Sequence, residues 1–180
     1  KVDLGRITLM GHSRGGEAVA VAAAFNTLAY DPDDANVRFD FHFGIRSIVA
    51  IAPVDGQYQP ATRATPLDNV SYLVIHGSHD GDVSTFSGLR QYERVTFTPG
   101  HQGFKAVVWM YRANHGQWNT VWGSTDDGPE SPRYLDLRGL IPADQQSRMA
   151  QIYLSAFIEA TLHDRPEFLP IFRDHRVIGG

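Results

Sequence analysis

The 180-residue sequence contains no cysteine, and this absence excludes several kinds of structure and chemistry. Without thiols there can be no disulfide framework, no thiolate zinc site and no cysteine nucleophile. The cellular compartment stays open, because cytosolic and secreted proteins can both lack cysteine, although we favour secretion.

The sequence also lacks clusters of positive charge and long hydrophobic runs. Its 16 Lys and Arg residues are scattered singly among 20 Asp and Glu residues, and the formal net charge is -4. This distribution argues against nucleic acid or anionic lipid as a partner. The longest apolar run, residues 18–25, is much shorter than the roughly 20 residues that a membrane span needs. We therefore expect a soluble chain without a membrane span.

Short apolar runs alternate with helical patterns along the chain. The runs typical of buried strands are Ile7–Met10, Ser47–Ala52, Val70–His76 and Phe104–Tyr111. The helical patterns cover Glu17–Tyr30, Phe86–Val95 and the amphipathic stretch that follows Pro142. Strands that are apolar throughout and alternate with helices indicate a sheet covered on both faces. The sequence predicts an α/β fold with a mostly parallel, doubly wound sheet.

A glycine-rich segment lies between the first predicted strand and the first predicted helix. Residues 11–16 read Gly-His-Ser-Arg-Gly-Gly and match the pattern G-x-S-x-G in the strand-turn-helix context that this motif requires. A serine on such a turn has strained backbone angles, and Gly11 and Gly15 would let the flanking backbones pass closely. The turn would also direct the amide of Arg14 at a developing oxyanion. The alternative is a tight turn with a purely structural role.

A carboxylate and a histidine follow two later strands. Residues 77–83 contain Asp80 and Asp82, either of which can orient a catalytic base, and His115 follows the fourth predicted strand. Nucleophile, acid and base then occur in the chain order associated with α/β-hydrolases. The alternative for His115 is an ordinary histidine of a surface loop.

These motifs carry a family resemblance. Residues 11–16 are similar to the nucleophile elbow of chlorophyllase-like and polyester-hydrolase-like serine esterases, and residues 3–161 resemble the C-terminal portion of an α/β-hydrolase. The resemblance implies cleavage of a small-molecule or polymeric ester, without a cofactor. Carried over to this sequence, its catalytic groups are the nucleophile Ser13, the acid Asp80, the base His115 and the oxyanion donor Arg14, through its backbone amide.

The resemblance also implies that part of the fold is missing. The chain begins at Lys1 and enters a strand within a few residues, so we interpret it as a piece of a longer protein whose N-terminal strands are absent. We expect residues 1–165 to be the C-terminal portion of the hydrolase domain, and residues 166–180 to be a tail without a helix that leads out of it. The missing N-terminal half or another chain would lie along the first strand, whose edge would otherwise be unpaired. Activity would require those residues, since the second oxyanion donor lies there in the family.

Other residues allow a functional and a structural interpretation. Asp55, Tyr58 and Trp118 are candidate substrate-binding residues, although Asp55 can equally cap a loop. Trp118, like Trp122, either lines an acyl or aryl pocket or anchors the loop in the core.

No metal site is expected. The cluster His76, His79, Asp80 and Asp82 invites a metal interpretation, but a carboxylate loop explains it better. Two acidic groups resemble calcium ligands, although solvated turns are favoured for both. They are Asp31, Asp33 and Asp34, and Asp126, Asp127 and Glu130.

The leading hypothesis from sequence is thus a serine hydrolase of carboxylic esters that forms an acyl-enzyme. A peptidase of the prolyl-oligopeptidase type is the alternative within enzymes. A non-catalytic, α/β-hydrolase-like binding module is the alternative outside them.

Overall fold

A computed structural model describes residues 3–122, 126 and 139–174. The predicted surface loop at residues 123–138 lies outside the described residues, apart from Asp126. The strands are β1 (Ile7–His12), β2 (Ile45–Ile51), β3 (Leu67–Asp68), β4 (Ser71–Gly77), β5 (Val95–Thr96) and β6 (Lys105–Met110). The α-helices are α1 (Arg14–Phe25), α2 (Gly88–Arg94), α3 (Ala143–Thr161) and α4 (Pro170–Arg173). Short 3-10 helices cover Pro60–Thr62, Gly116–Trp118 and Pro166–Phe168.

Four of the strands form a parallel sheet in the order β1-β2-β4-β6. Its register pairs Met10 with Val49, Val49 with Leu73, and Leu73 with Ala106. Strands β3 and β5 form a separate two-stranded parallel ladder. The predicted α/β class with a parallel sheet is confirmed.

Helices cover both faces of this sheet, because successive side chains of a strand point to opposite faces. Ile48 and Tyr72 lie in one core cluster together with Ala20 of α1. On the other face, Leu73 lies in a second cluster together with Phe157 of α3. Strands β2 and β4 are therefore buried from both sides, which explains their almost uninterrupted apolar sequences.

Strand β1 lies at one edge of the sheet. Among the described residues it pairs with β2 alone, and the side chain of Met10 is 58% exposed. The nucleophile candidate Ser13 directly follows this edge strand.

The segment after α3 contains helical structure, so the prediction that it has no helix is wrong. Residues 166–168 form a 3-10 helix and residues 170–173 form α4. The ring of Phe172 contacts the rings of Phe104 and Phe157, with centroids 5.4 and 6.0 Å apart. Proline at the start of each short helix is compatible with the fixed φ of a first helical turn. The described part of this segment therefore packs on the second core cluster.

Helix α3 is amphipathic and not uniformly apolar. It buries Ala150 and Phe157 and leaves Met149 and Ile152 partly exposed. Within the described part of the chain, no helix has the length and apolar character needed to cross a membrane.

Candidate active site

The candidate catalytic residues all follow strands of the parallel sheet. Ser13 comes directly after β1, Asp80 three residues after β4, and His115 five residues after β6. Parallel strands end at the same side of their sheet, so these residues share one rim. We name residues 78–83 the acid loop and residues 111–118 the base loop.

Ser13 occupies a sharp turn between β1 and α1. Its backbone has φ 58° and ψ -122°, a conformation that is rare for a residue with a side chain. The Ser13 amide donates to the carbonyl of Ile51 at 2.9 Å, and its carbonyl accepts from the Gly16 amide at 2.9 Å. Arg14 begins α1, so its amide is among those without an acceptor inside the helix. The turn thus places a strained serine beside a helix N-terminus.

Glycine is needed around this turn at Gly11, as expected, and at Gly16, but not at Gly15. A Cβ on Gly11 would lie 2.0 Å from the carbonyl oxygen of Gly15, and a Cβ on Gly16 would lie 2.6 Å from the Cβ of Pro53. A Cβ on Gly15 would meet nothing within 4 Å. The requirement for glycine at Gly11 is therefore steric, whereas the one expected at Gly15 is wrong.

His115 and Asp80 form a buried hydrogen-bonded pair. Nδ1 of His115 lies 2.8 Å from Oδ2 of Asp80, and the two residues are 0% and 5% exposed. Oδ1 of Asp80 accepts from the amides of Asp82 at 3.0 Å and Val83 at 2.6 Å, which fixes the acid loop. A carboxylate bound to Nδ1 keeps the proton on that nitrogen and leaves Nε2 as the basic atom.

The two acid candidates approach different nitrogens of His115. Asp80 meets Nδ1, whereas Oδ2 of Asp82 lies 4.0 Å from Nε2. An orienting acid must hold the nitrogen that does not take the proton of the serine hydroxyl. The geometry therefore places Asp80 in the orienting position and Asp82 beside the basic nitrogen.

The surroundings of His115 raise its pKa above the usual 6.5. Burial acts in the opposite direction, because it penalises the charged ring. It is outweighed by the hydrogen bond to Asp80 and by the negative charges of Asp80, Asp82 and Asp126. The imidazolium form is thus stabilised, as a catalytic base requires after it has taken a proton.

Two aromatic rings contact the ring of His115. The centroid of His12 lies 4.5 Å away, and the indole of Trp122 stacks at 5.8 Å with an interplanar angle of 16°. Burial and the nearby His115 lower the pKa of His12 to about 4, so His12 is neutral near pH 7. This packing makes His12 a neighbour of His115.

The hydroxyl of Ser13 is not bonded to the base in this state. Nε2 of His115 is buried and has no hydrogen-bond partner among the described residues, which include Ser13. The ring of His12, the residue before Ser13, nevertheless touches the ring of His115. Ser13 and His115 therefore lie at the same corner of the rim.

The acid and base loops are joined at their strand ends. The amide of His79 donates to the carbonyl of Ala113 at 2.9 Å, and the amide of Arg112 donates to Oγ of Ser78 at 2.8 Å. A Cβ on Gly77 would lie 2.2 Å from the Ala113 carbonyl oxygen, so this close approach requires glycine. The two loops form one connected unit.

His76 lies near the end of β4, and its ring is held by backbone and ring contacts. Its Nε2 hydrogen-bonds to the carbonyl of Val83 at 3.0 Å, and its ring stacks on Trp109. Burial lowers its pKa, so the ring is neutral and donates to Val83. Among the described residues, no three His, Asp or Glu side chains form a group that could hold a metal ion.

The residues predicted to bind substrate contact other partners. Asp55 forms an ion pair with Arg94, and the hydroxyl of Tyr58 donates to Asp33 at 3.3 Å. Trp118 packs against the second core cluster. Among the described residues, neither Tyr58 nor Trp118 has a ring contact with His115, whereas the alternative aromatic, Trp122, stacks on it.

Two buried carboxylates hold loops near the site. Glu17 on α1 accepts through Oε1 from the amides of Gly56 and Gln57, which follow β2. Asp126 is only 5% exposed, so its assignment to a solvated turn is wrong. Neither anchoring role can be read from local sequence, because the donors are 10 to 45 residues distant in the chain.

Comparison with known proteins adds no relative, because no family model matches this chain and no curated protein matches it.

Proposed function

We propose that this chain carries the nucleophile, acid and base of a serine hydrolase that cleaves carboxylic esters through an acyl-enzyme. The observation that carries the proposal is the buried hydrogen bond between His115 and Asp80, on the same rim as Ser13. An imidazole held by a carboxylate through Nδ1 is the arrangement that activates a serine.

The topology supports an α/β-hydrolase fold for this chemistry. The serine follows a parallel strand and precedes a helix, and its backbone is strained, as in a nucleophile elbow. Acid and base follow later strands of the same sheet, in the order Ser13, Asp80 and His115. These features belong together in α/β-hydrolases, whereas a structural turn has no need of them.

In the acylation step, Oγ of Ser13 attacks the ester carbonyl carbon while Nε2 of His115 takes the hydroxyl proton. The carbonyl oxygen becomes negatively charged, and the amide of Arg14 is the chain's own candidate donor to it. His115 then gives its proton to the departing alkoxide, which leaves as the alcohol. Asp80 stabilises the imidazolium throughout and keeps its own charge.

In the deacylation step, water attacks the acyl carbon while Nε2 of His115 takes a water proton. The same proton returns to Oγ of Ser13 as the C–O bond to the enzyme breaks, and the carboxylic acid leaves. The missing hydrogen bond between Ser13 and His115 is compatible with this sequence, because such bonds often tighten only when substrate is bound. We propose that residues N-terminal to the chain complete the oxyanion site.

A serine-directed fluorophosphonate probe, applied to the full-length protein, tests the proposal. We expect one phosphonyl adduct, mapped to Ser13 by mass spectrometry, and none in Ser13→Ala. Ser155 is an exposed serine on α3, so Ser155→Ala is the matched control and should be labelled like the wild type. Absence of labelling, under conditions that label a known esterase, would reject the proposal.

Substrate panels distinguish esters from amides. We expect chromogenic acyl esters to be hydrolysed and aminoacyl or prolyl amides to be left intact. Faster cleavage of the amides would favour the peptidase alternative. Tight binding of a partner without turnover of any acyl substrate would favour the binding module.

A further inference from the structure

Asp126 connects the two loops that carry the acid and the base. Its Oδ2 accepts from the amide of Gly81 at 2.8 Å and from the amide of His115 at 2.9 Å. Its Oδ1 accepts from the amide of Gly116 at 2.8 Å and from Nδ2 of Asn114 at 2.9 Å. Each oxygen thus receives two hydrogen bonds from neutral donors in a buried position, where an unsatisfied donor would be costly.

The positions of these donors distinguish Asp126 from the other contacts between the loops. The bonds made by Ser78 and His79 join the loops where they leave the sheet. Asp126 acts further out, because Gly81 directly follows Asp80 and the other backbone donors are His115 itself and Gly116. It therefore holds the backbone next to Asp80 in one loop and at His115 in the other, and the hydrogen bond between Asp80 and His115 depends on both positions.

We propose that Asp126 is a positioning residue that fastens the acid loop to the base loop and adds a fixed negative charge beside His115. This inference rests on the proposed function, which supplies the reaction that the geometry would serve. Among the described residues, the hydrogen bonds of Asp126 go to the acid loop and the base loop and none goes to Ser13, so it acts through His115.

The chemistry of the carboxylate suggests a sharp test. Asp126→Asn keeps the shape but has a single acceptor oxygen, so its NH2 group must face two N–H donors. It also removes one of the charges around His115, whose facing titratable groups are Asp80, Asp82, Asp126 and the neutral rings of His12 and His76. Asp126→Glu keeps both oxygens and the charge but lengthens the side chain by one methylene.

The readouts are the rate of Ser13 labelling by the fluorophosphonate and the NMR titration of the His115 ring. For Asp126→Asn we expect a loss of about tenfold or more in labelling rate, from the loss of charged hydrogen bonds, together with a lower pKa of His115. Asp126→Glu should retain a raised pKa of His115 and recover part of the rate. Asp31→Asn is the matched control, because Asp31 also accepts backbone amides but does so in a turn beyond the far end of α1.

Several outcomes would overturn the inference. Wild-type labelling and a wild-type pKa of His115 in Asp126→Asn would do so. Equal losses in both Asp126 variants with an unchanged pKa of His115 would also do so, because they indicate a structural role alone.

If Asp126→Asn fails to fold, amide hydrogen exchange of the wild-type protein tests whether Asp126 holds the two loops. We expect slow exchange of the Gly81, His115 and Gly116 amides, and exchange as fast as in an unstructured peptide would reject the inference. Should the wild type not be labelled at Ser13, the proposed function fails, while the titration of His115 still tests Asp126.

Discussion

The backbone of Ser13 is held in a strained conformation, and that strain has a measurable cost. A residue with a side chain in such a region costs about 1–3 kcal/mol, and glycine removes the cost while adding roughly 0.5–1 kcal/mol of unfolded-state entropy. We therefore expect Ser13→Gly to be about 1 kcal/mol more stable than Ser13→Ala. Urea unfolding of the two variants, both inert to the fluorophosphonate, measures the difference. Equal stability would mean that the turn is unstrained.

The raised pKa of His115 predicts how reactivity depends on pH. As a base, His115 must be neutral, so the labelling rate of Ser13 should rise with pH along a limb whose midpoint lies above 6.5. The same interactions stabilise the folded state fully below 6.5, and this stability is lost as pH rises through the native pKa. A rate profile measured from pH 5 to 9 provides the check, and a midpoint below 6.5 would contradict the prediction.

At the residue scale, the sequence points to the candidate catalytic residues but not to the residues that hold their loops in place. Asp80 and His115 stand out because they follow strands in a known order. Asp126 does not stand out, because its hydrogen-bond donors lie in other loops and its acidic neighbours in the sequence are typical of a solvated turn. The residues alone left Asp80 and Asp82 both open, the resemblance favoured Asp80, and the geometry sets the two carboxylates against different nitrogens of His115.

The turn from β1 to α1 has one glycine that must stay and one that can be replaced. A methyl group on Gly11 would collide with the backbone of Gly15, which should cost about 1–3 kcal/mol and displace Ser13. A methyl group on Gly15 points into open space within a helix, where alanine is favoured by up to about 1 kcal/mol.

We thus expect Gly11→Ala to lower both the melting temperature and the labelling rate of Ser13, and Gly15→Ala to raise the melting temperature without loss of labelling. Calorimetry and the fluorophosphonate assay on the two variants provide the measurement. The reverse order of stabilities would contradict the structure of the turn.

At the scale of elements, the strands of the main sheet are predictable because burial on both faces makes them apolar throughout. The ends of elements are less so. Helix α1 begins at Arg14 and ends at Phe25, whereas its apolar pattern runs from Glu17 to Tyr30. The ladder of β3 and β5 escapes prediction, since two residues in each strand carry no periodic signal.

At the scale of the molecule, stability depends on the layer between α3 and the sheet. Phe157 is fully buried there and contacts the rings of Phe104 and Phe172. We expect Phe157→Ala to lower the free energy of unfolding by about 3–5 kcal/mol. On the same helix, Ile152 is 46% exposed. Ile152→Ala should therefore change the free energy of unfolding by less than about 0.5 kcal/mol. Denaturant titration measures both, and similar losses would place the core elsewhere.

The order of the strands is a property of the whole molecule that the sequence does not contain locally. Alternating strands and helices predict a parallel sheet, but which strands are neighbours, here β1, β2, β4 and β6 in chain order, follows from long-range packing. The meeting of His115 with Asp80 depends on this order, because β4 and β6 are neighbours. Ser13, by contrast, follows β1, which is separated from β6 by two strands. Its approach to His115 therefore depends on the conformation of the loops at the rim.

The edge position of β1 gives Ser13 a weaker foundation than Asp80 has, because Asp80 follows an inner strand of the sheet. Among the described residues β1 has one hydrogen-bonded neighbour, while β4, which leads to Asp80, has two. Edge elements open locally at lower free energy than the centre of a sheet. Gentle heating of this chain should therefore displace Ser13 while most of the polypeptide keeps its native circular dichroism, so loss of fluorophosphonate labelling would precede melting.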